Sequence, residues 1–106
     1  GFSGMEVEVA CRYNMPIVFI VVNNNGISGG PTELNPDFIP PSAYVPNARY
    51  ERVIEAFGGK GFFCERPGEV RPALDEALAS GKPCVVNIMI DPRARRRPQQ
   101  FGWLTR

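Results

Sequence analysis

The sequence predicts an α/β fold of three layers, a parallel sheet with helices on both faces, and two observations carry that prediction. Residues 17–22 and 85–90 are short, almost unbroken apolar runs rich in β-branched side chains. Runs without polar alternation read as strands covered on both faces, as in a parallel sheet. Around them the chain orders itself as helix, strand, loop, helix, strand, helix, strand. Parallel neighbours require such crossover connections.

The first helix is expected over residues 4–13. Ser3 and Glu6 stand at capping-box spacing, and Val7, Ala10 and Cys11 form an apolar stripe widened by Met5 and Val9. Asn14 and Pro16 end it, because a proline disfavours helical geometry in the residue before it. The strand 17–22 then runs into the polar turn Asn23-Asn24-Asn25-Gly26. Residues 28–47, rich in Pro, Gly, Asn and Ser, have no sustained period. They read as a long ordered loop, the kind of segment that carries function in compact domains. A second helix over 48–57 follows from Tyr50, Val53, Ile54 and Phe57 at helical spacing, with Gly58-Gly59 as its stop. Residues 61–64 form a short strand. Pro67 opens a third helix through residue 79, with Val70, Ala73, Leu74, Ala77 and Leu78 on its inner face and Gly81 beyond it. The last strand, 85–90, ends at Asp91-Pro92. Three strands that need cover on both sides leave edges and faces open. A further strand before Gly1 and a partner subunit are the expected remedies.

With 106 residues and 43% apolar content, the chain suits one hydrophobic core. Twelve basic residues against 11 acidic ones give a net charge of +1. That balance supplies no general field for nucleic acid or an anionic membrane, and neither is expected as a partner. Arg93, Arg95, Arg96 and Arg97 form a local basic run that reads as a solvated tail, so residues 1–92 and 93–106 are separated as domain and tail. Cys11, Cys64 and Cys84 lie among apolar residues without zinc-site spacing and are expected to be free thiols. No apolar stretch approaches the roughly 20 residues that a membrane-spanning helix needs, so a soluble protein is expected.

Ligands of open parallel sheets bind beyond the carboxyl ends of the strands, where the asparagine turn must lie. The side-chain oxygens of asparagine and a glycine carbonyl are hard neutral donors. They suit Mg²⁺ when phosphate oxygens and a carboxylate complete the shell. Glycine at position 26 lets the backbone approach a ligand closely. Gly1, Ser3 and Gly4, at the start of the first helix, offer amides suited to a phosphate. Taken by themselves, such turns are commonly no more than turns. Glu6 and Glu8 read as capping and dipole partners, and Arg12 and Tyr13 as dipole or packing residues.

The run Gly1-Phe2-Ser3-Gly4-Met5-Glu6, followed by Cys11-Arg12-Tyr13-Asn14-Met15-Pro16, the strand and Asn23-Asn24-Asn25-Gly26-Ile27, resembles the second half of the thiamine-diphosphate fingerprint. That fingerprint opens with Gly-Asp and closes with paired asparagines. Its metal-binding aspartate would fall a few residues before Gly1. Arg49-Tyr50-Glu51, the run from Ala56 to Gly61, Val86-Asn87-Ile88-Met89-Ile90-Asp91-Pro92 and Phe101-Gly102-Trp103-Leu104-Thr105-Arg106 are similar to the 2-hydroxyacyl-CoA lyase branch, beside oxalyl-CoA decarboxylase. The likeness departs at Ser28-Gly29-Gly30, where the family tends to place an aromatic residue after Gly-Ile.

The resemblance implies the C-terminal part of a carbon-carbon lyase using thiamine diphosphate and Mg²⁺, cleaving 2-hydroxyacyl-CoA to an aldehyde and formyl-CoA. The cofactor supplies the difficult chemistry and the protein supplies placement. It also implies that Asn24 and Gly26 bind the metal through a side-chain oxygen and a backbone carbonyl, and that Ile27 lies against the cofactor. No residue here takes the catalytic role, which in this superfamily belongs to a glutamate on another domain of a neighbouring subunit. A homo-oligomer, dimer or tetramer, is expected of the full-length enzyme. Phe101 and Trp103 are expected to dock on the fold. Family resemblance suggests a peroxisomal location, with a cytoplasmic one as alternative because Leu104-Thr105-Arg106 is no peroxisomal address. The competing readings are an oxalyl-CoA decarboxylase or acetolactate-synthase-like enzyme, and a non-catalytic structural remnant. Calorimetric titration of the 106-residue chain with thiamine diphosphate and Mg²⁺ is expected to give no tight binding, because the aspartate lies outside it. Micromolar affinity would show the fingerprint to be misplaced.

Overall fold

A computed structural model describes residues 4–26, 37 and 39–91. Three strands, β1 (Val18–Asn23), β2 (Lys60–Cys64) and β3 (Cys84–Met89), and three helices, α1 (Glu6–Arg12), α2 (Glu51–Ala56) and α3 (Pro67–Ser80), follow the expected order. The sheet is parallel throughout with order β1-β3-β2. Val21 aligns with Asn87, and Phe63 aligns with Asn87 from the other side. The chain crosses over β3 to reach β2 and then returns to β3. Two crossovers of one hand and opposite direction place their helices on opposite faces.

Side-chain alternation along β3 shows those faces. Cys84 and Val86 enter a core with Cys64, Ala73 and Ala77, joined by the partly buried Val18, Phe62, Val70, Leu74 and Ile88. This is the α3 side. On the other side Asn87 bonds to Glu51 of α2, and α1 packs beside α2. Pro67 begins α3, and Gly81, in the left-handed region at φ 65°, closes it.

The strand bounds agree with the expected ones to within a residue, and several helix details do not. The N-cap of α1 is Met5 rather than Ser3, and it makes no side-chain cap bond; Ser3 itself lies outside the described residues. Glu8 instead pairs with Arg12 one turn on, whose guanidinium holds the Glu8 carboxyl below its usual range. The pairing is an ion pair along the helix rather than the capping expected of Glu8, while Glu8 in the first turn and Arg12 in the last stand where the helix dipole favours them. In α2 only Ile54 of the expected stripe is buried. Val53 and Phe57 are exposed, and the second inner position belongs to Glu51. Leu78, expected on the inner face of α3, is exposed, standing about 100° round the helix from the buried Ala77. Cys64 and Cys84 are buried free thiols and Cys11 is half-buried; burial pushes the Cys64 thiol up from its ordinary pKa. Among the described residues no helix is long and apolar enough to cross a membrane.

The unbroken apolar run of β1 predicts cover on both faces. Val18 is partly buried against the α3 core, but Ile20 and Val22, on the same face, are 54% and 61% exposed. Sheet face thus remains uncovered beside an edge strand, as three strands alone would leave it.

Gly61 determines how closely α2 lies on β2. A Cβ there would stand 2.5 Å from the Glu51 carbonyl oxygen and 2.7 Å from a Glu55 carboxylate oxygen. Gly61→Ala is therefore expected to destabilise by about 1–3 kcal/mol, the usual cost of overpacking. Gly68→Ala, in a helical position with nothing within 4 Å, is expected to gain about 0.4–1 kcal/mol. Urea denaturation midpoints of the two variants check both signs.

Candidate cofactor-binding site

The strand β1 ends in Asn23, and the backbone then leaves the sheet through a turn held by its own side chains. Asn23 Oδ1 accepts from the Asn25 amide at 3.0 Å, and Asn24 Oδ1 accepts from the Gly26 amide at 3.2 Å. Asn25 sits in the left-handed region at φ 64°, which asparagine tolerates better than other residues with a Cβ. These asparagines therefore do what turn chemistry asks of them. The arrangement also brings the Asn24 side-chain oxygen to the Gly26 peptide, at the carboxyl end of a parallel strand.

A second segment closes over this turn. The Asn25 carbonyl accepts from the Tyr44 amide at 2.9 Å, and Asn25 Oδ1 accepts from the Asn47 amide at 2.8 Å. Gly26 and Ala43 form an antiparallel bridge. Asn47 is left-handed as well, at φ 53°, so both residues joined by the side-chain bond adopt a backbone conformation that few side chains accept.

Beneath lies a buried polar group that the sequence did not single out. The Ala48 carbonyl accepts from Asn23 Nδ2 at 3.2 Å and from Asn87 Nδ2 at 2.8 Å. Asn87 Nδ2 also donates to Glu51 Oε2 at 2.9 Å. Glu51 pairs with Arg49, whose guanidinium lies 3.9 Å from the centre of the Phe63 ring. Asn87 Oδ1 is buried with no hydrogen-bond partner among the described residues. Asn87 and Phe63 align across the sheet. Past them opens a cleft of about 490 Å³ lined by Asn47, Arg49, Phe63, Glu65 and Met89.

Of the predicted site residues, Asn24 and Gly26 therefore share one turn, and Ile27 lies outside the described residues. Among the described residues no group of three or more His, Cys, Asp or Glu is poised to hold a metal. The donors present are neutral oxygens. Asn24 Oδ1 accepts from the Gly26 amide, and as an amide oxygen it is a hard donor of the kind that suits a hard cation. Such a set fits Mg²⁺ if phosphate and carboxylate oxygens complete the shell. Sequence reasoning missed Asn87 and Glu51 as site supports. The signal was there in a lone polar residue inside an apolar strand and a carboxylate at an inner helical position.

A parallel sheet with an asparagine turn at the carboxyl end of a strand has that turn where open α/β sheets bind their ligands. The chain matches the model of the thiamine pyrophosphate enzyme, C-terminal TPP binding domain, over residues 1–88, and belongs to that family. It is 49% identical over 117 residues to human 2-hydroxyacyl-CoA lyase 1, covering 100% of this chain and 20% of that protein. The 2-hydroxyacyl-CoA lyase of Arabidopsis thaliana is 50% identical over 101 residues, covering 89% of this chain and 18% of the relative. Oxalyl-CoA decarboxylase of Escherichia coli strain K12 is 41% identical over 96 residues, covering 89% and 17%. The chain thus spans about a fifth of the length of these curated relatives.

The ion pair beneath the turn is asymmetric, since Glu51 is 2% exposed and Arg49 42%. Arg49→Ala strands a buried carboxylate and is expected to cost about 3–5 kcal/mol. Glu51→Gln keeps an acceptor for Asn87 and leaves a half-exposed cation, at an expected cost of about 1–3 kcal/mol. Denaturation curves giving the reverse order would place the burial on the wrong partner.

Proposed function

We propose that this chain is the diphosphate-holding part of a thiamine-diphosphate-dependent lyase that cleaves 2-hydroxyacyl-CoA to an aldehyde and formyl-CoA. The observation that carries the reading is the identity of 49% to a 2-hydroxyacyl-CoA lyase across the whole chain, together with a turn whose oxygens suit a hard cation. In this reading Asn24 Oδ1 and the Gly26 carbonyl hold Mg²⁺, and Ile27 lies against the cofactor. When bound, thiamine diphosphate supplies the electron sink for breaking the carbon-carbon bond.

The chain's own residues hold and orient. The bonds from Asn25 to Tyr44 and Asn47 keep the donor turn in one conformation. The buried Asn87 and Glu51 carry the segment that closes on it. Residues 1–92 form the cofactor-holding unit and 93–106 a tail. The uncovered apolar face at Ile20 and Val22 supports work inside a larger assembly, a homo-oligomer of the complete polypeptide. A peroxisomal location with a role in fatty acid α-oxidation is proposed on the family resemblance, the cytoplasm being the alternative.

The drop to 41% identity for oxalyl-CoA decarboxylase ranks decarboxylation second. The complete polypeptide, given Mg²⁺ and thiamine diphosphate, is expected to release an aldehyde from 2-hydroxyacyl-CoA. Asn24→Ala is expected to weaken Mg²⁺ binding by at least about tenfold, the scale on which even outer partners of a metal act. Oxalyl-CoA turnover or pyruvate coupling without aldehyde release would overturn the assignment.

A further inference from the structure

Asn87 occupies the middle of the central strand at 0% exposure, where an apolar side chain would pack with no polar group to satisfy. Its orientation is set by its neighbours. Nδ2 faces two acceptors, the Ala48 carbonyl and Glu51 Oε2. Turning the amide over would set oxygen against oxygen at both. The same orientation leaves Oδ1 buried with no hydrogen-bond partner among the described residues.

What the amide holds leads back to the turn. Ala48 is fixed through its carbonyl by Asn87 and Asn23. The preceding residue, Asn47, gives its amide to Asn25 Oδ1, and Tyr44 gives its amide to the Asn25 carbonyl. Asn25 stands between Asn24 and Gly26. A continuous set of bonds therefore runs from the centre of β3 to the two proposed metal donors. Glu51, held by Arg49, orients the amide at its origin.

We infer that Asn87, oriented by Glu51, is a positioning residue for the metal-binding turn, setting the place of Asn24 and Gly26 through Ala48, Asn47 and Asn25. The inference rests on the proposed function and adds to it the residues that hold the donors in register. Asn87 touches neither metal nor cofactor in this scheme. It acts on the closing segment.

The test uses three variants of the complete polypeptide. Asn87→Leu keeps the branched shape and removes the donor, Asn87→Ala removes both, and Val86→Ala opens a hole on the opposite face of β3, within the α3 core. Two quantities are read: hydrogen exchange of the Asn25, Gly26, Tyr44 and Asn47 amides without ligand, and the dissociation constant for thiamine diphosphate with Mg²⁺. Both Asn87 variants are expected to exchange at those amides at least about tenfold faster, as local opening allows. They are also expected to bind the cofactor about 10–100-fold more weakly, the range typical of outer partners of a metal site. Val86→Ala is expected to change neither. Should Asn87→Leu fail to fold, the comparison of Asn87→Ala with Val86→Ala decides. Unchanged amides, unchanged affinity despite faster exchange, or equal effects in Val86→Ala each overturn the inference alone. An unsubstituted polypeptide that binds no thiamine diphosphate with Mg²⁺ overturns the proposed function, and the positioning role with it.

Discussion

The carbonyl of Ala48 receives two asparagine amides, one from the last residue of an edge strand and one from the middle of the central strand. A backbone acceptor has two lone pairs, and here both are engaged by side chains that the sheet register places on one face. The segment preceding α2 is consequently attached to two strands at once. It also carries the amides of Tyr44 and Asn47, so the asparagine turn inherits that attachment. Asparagine is suited to both tasks, because its amide supplies donors to a buried carbonyl and its oxygen accepts from a turn.

This arrangement needs α2 to lie close to the sheet, and two choices of residue allow it. Gly61 presents no side chain where the Glu51 carbonyl comes down on β2. Glu51 is then brought over Asn87 with its charge answered by Arg49, which in turn stacks on Phe63. Taking a carboxylate out of water is costly unless it is paired and hydrogen-bonded. Both conditions are met here, and the result is a small polar network inside an otherwise apolar interface. The bonds of Glu51 to Asn87 and Arg49 fix where that carboxylate sits.

The opposite face is ordinary by comparison. Small side chains, Ala73 and Ala77 on α3, meet Cys64, Cys84 and Val86, and the polar contacts there are weak thiol bonds to backbone carbonyls and a contact of Cys84 Sγ with Ser80 Oγ. The sheet divides its labour by face, with α3 supplying apolar burial and α2 supplying the polar positioning. Near β1 the apolar face stays exposed at Ile20 and Val22. That uncovered area agrees with a chain that spans about a fifth of its relatives' length.

Local order and chain direction were legible in the residues themselves. Continuous β-branched runs announced β1 and β3, Pro67 and Gly81 bracketed α3, and Asn23-Asn24-Asn25-Gly26 marked a turn in the position where parallel sheets bind ligands. Each of these depends on backbone propensity or on hydrogen bonds within a few residues, which sequence records directly. Which side of α2 faces inward was decided only by the tertiary structure. Periodicity favoured Val53 and Phe57 alongside Ile54, yet Glu51 took the inner position, because Asn87 offered it a partner from a distant part of the chain and Arg49, two residues before it, answered its charge. The use of Asn87 and the exposure of Leu78 were settled in the same way. Burial of a polar group is decided by what it meets across the fold, and the sequence states only what it carries.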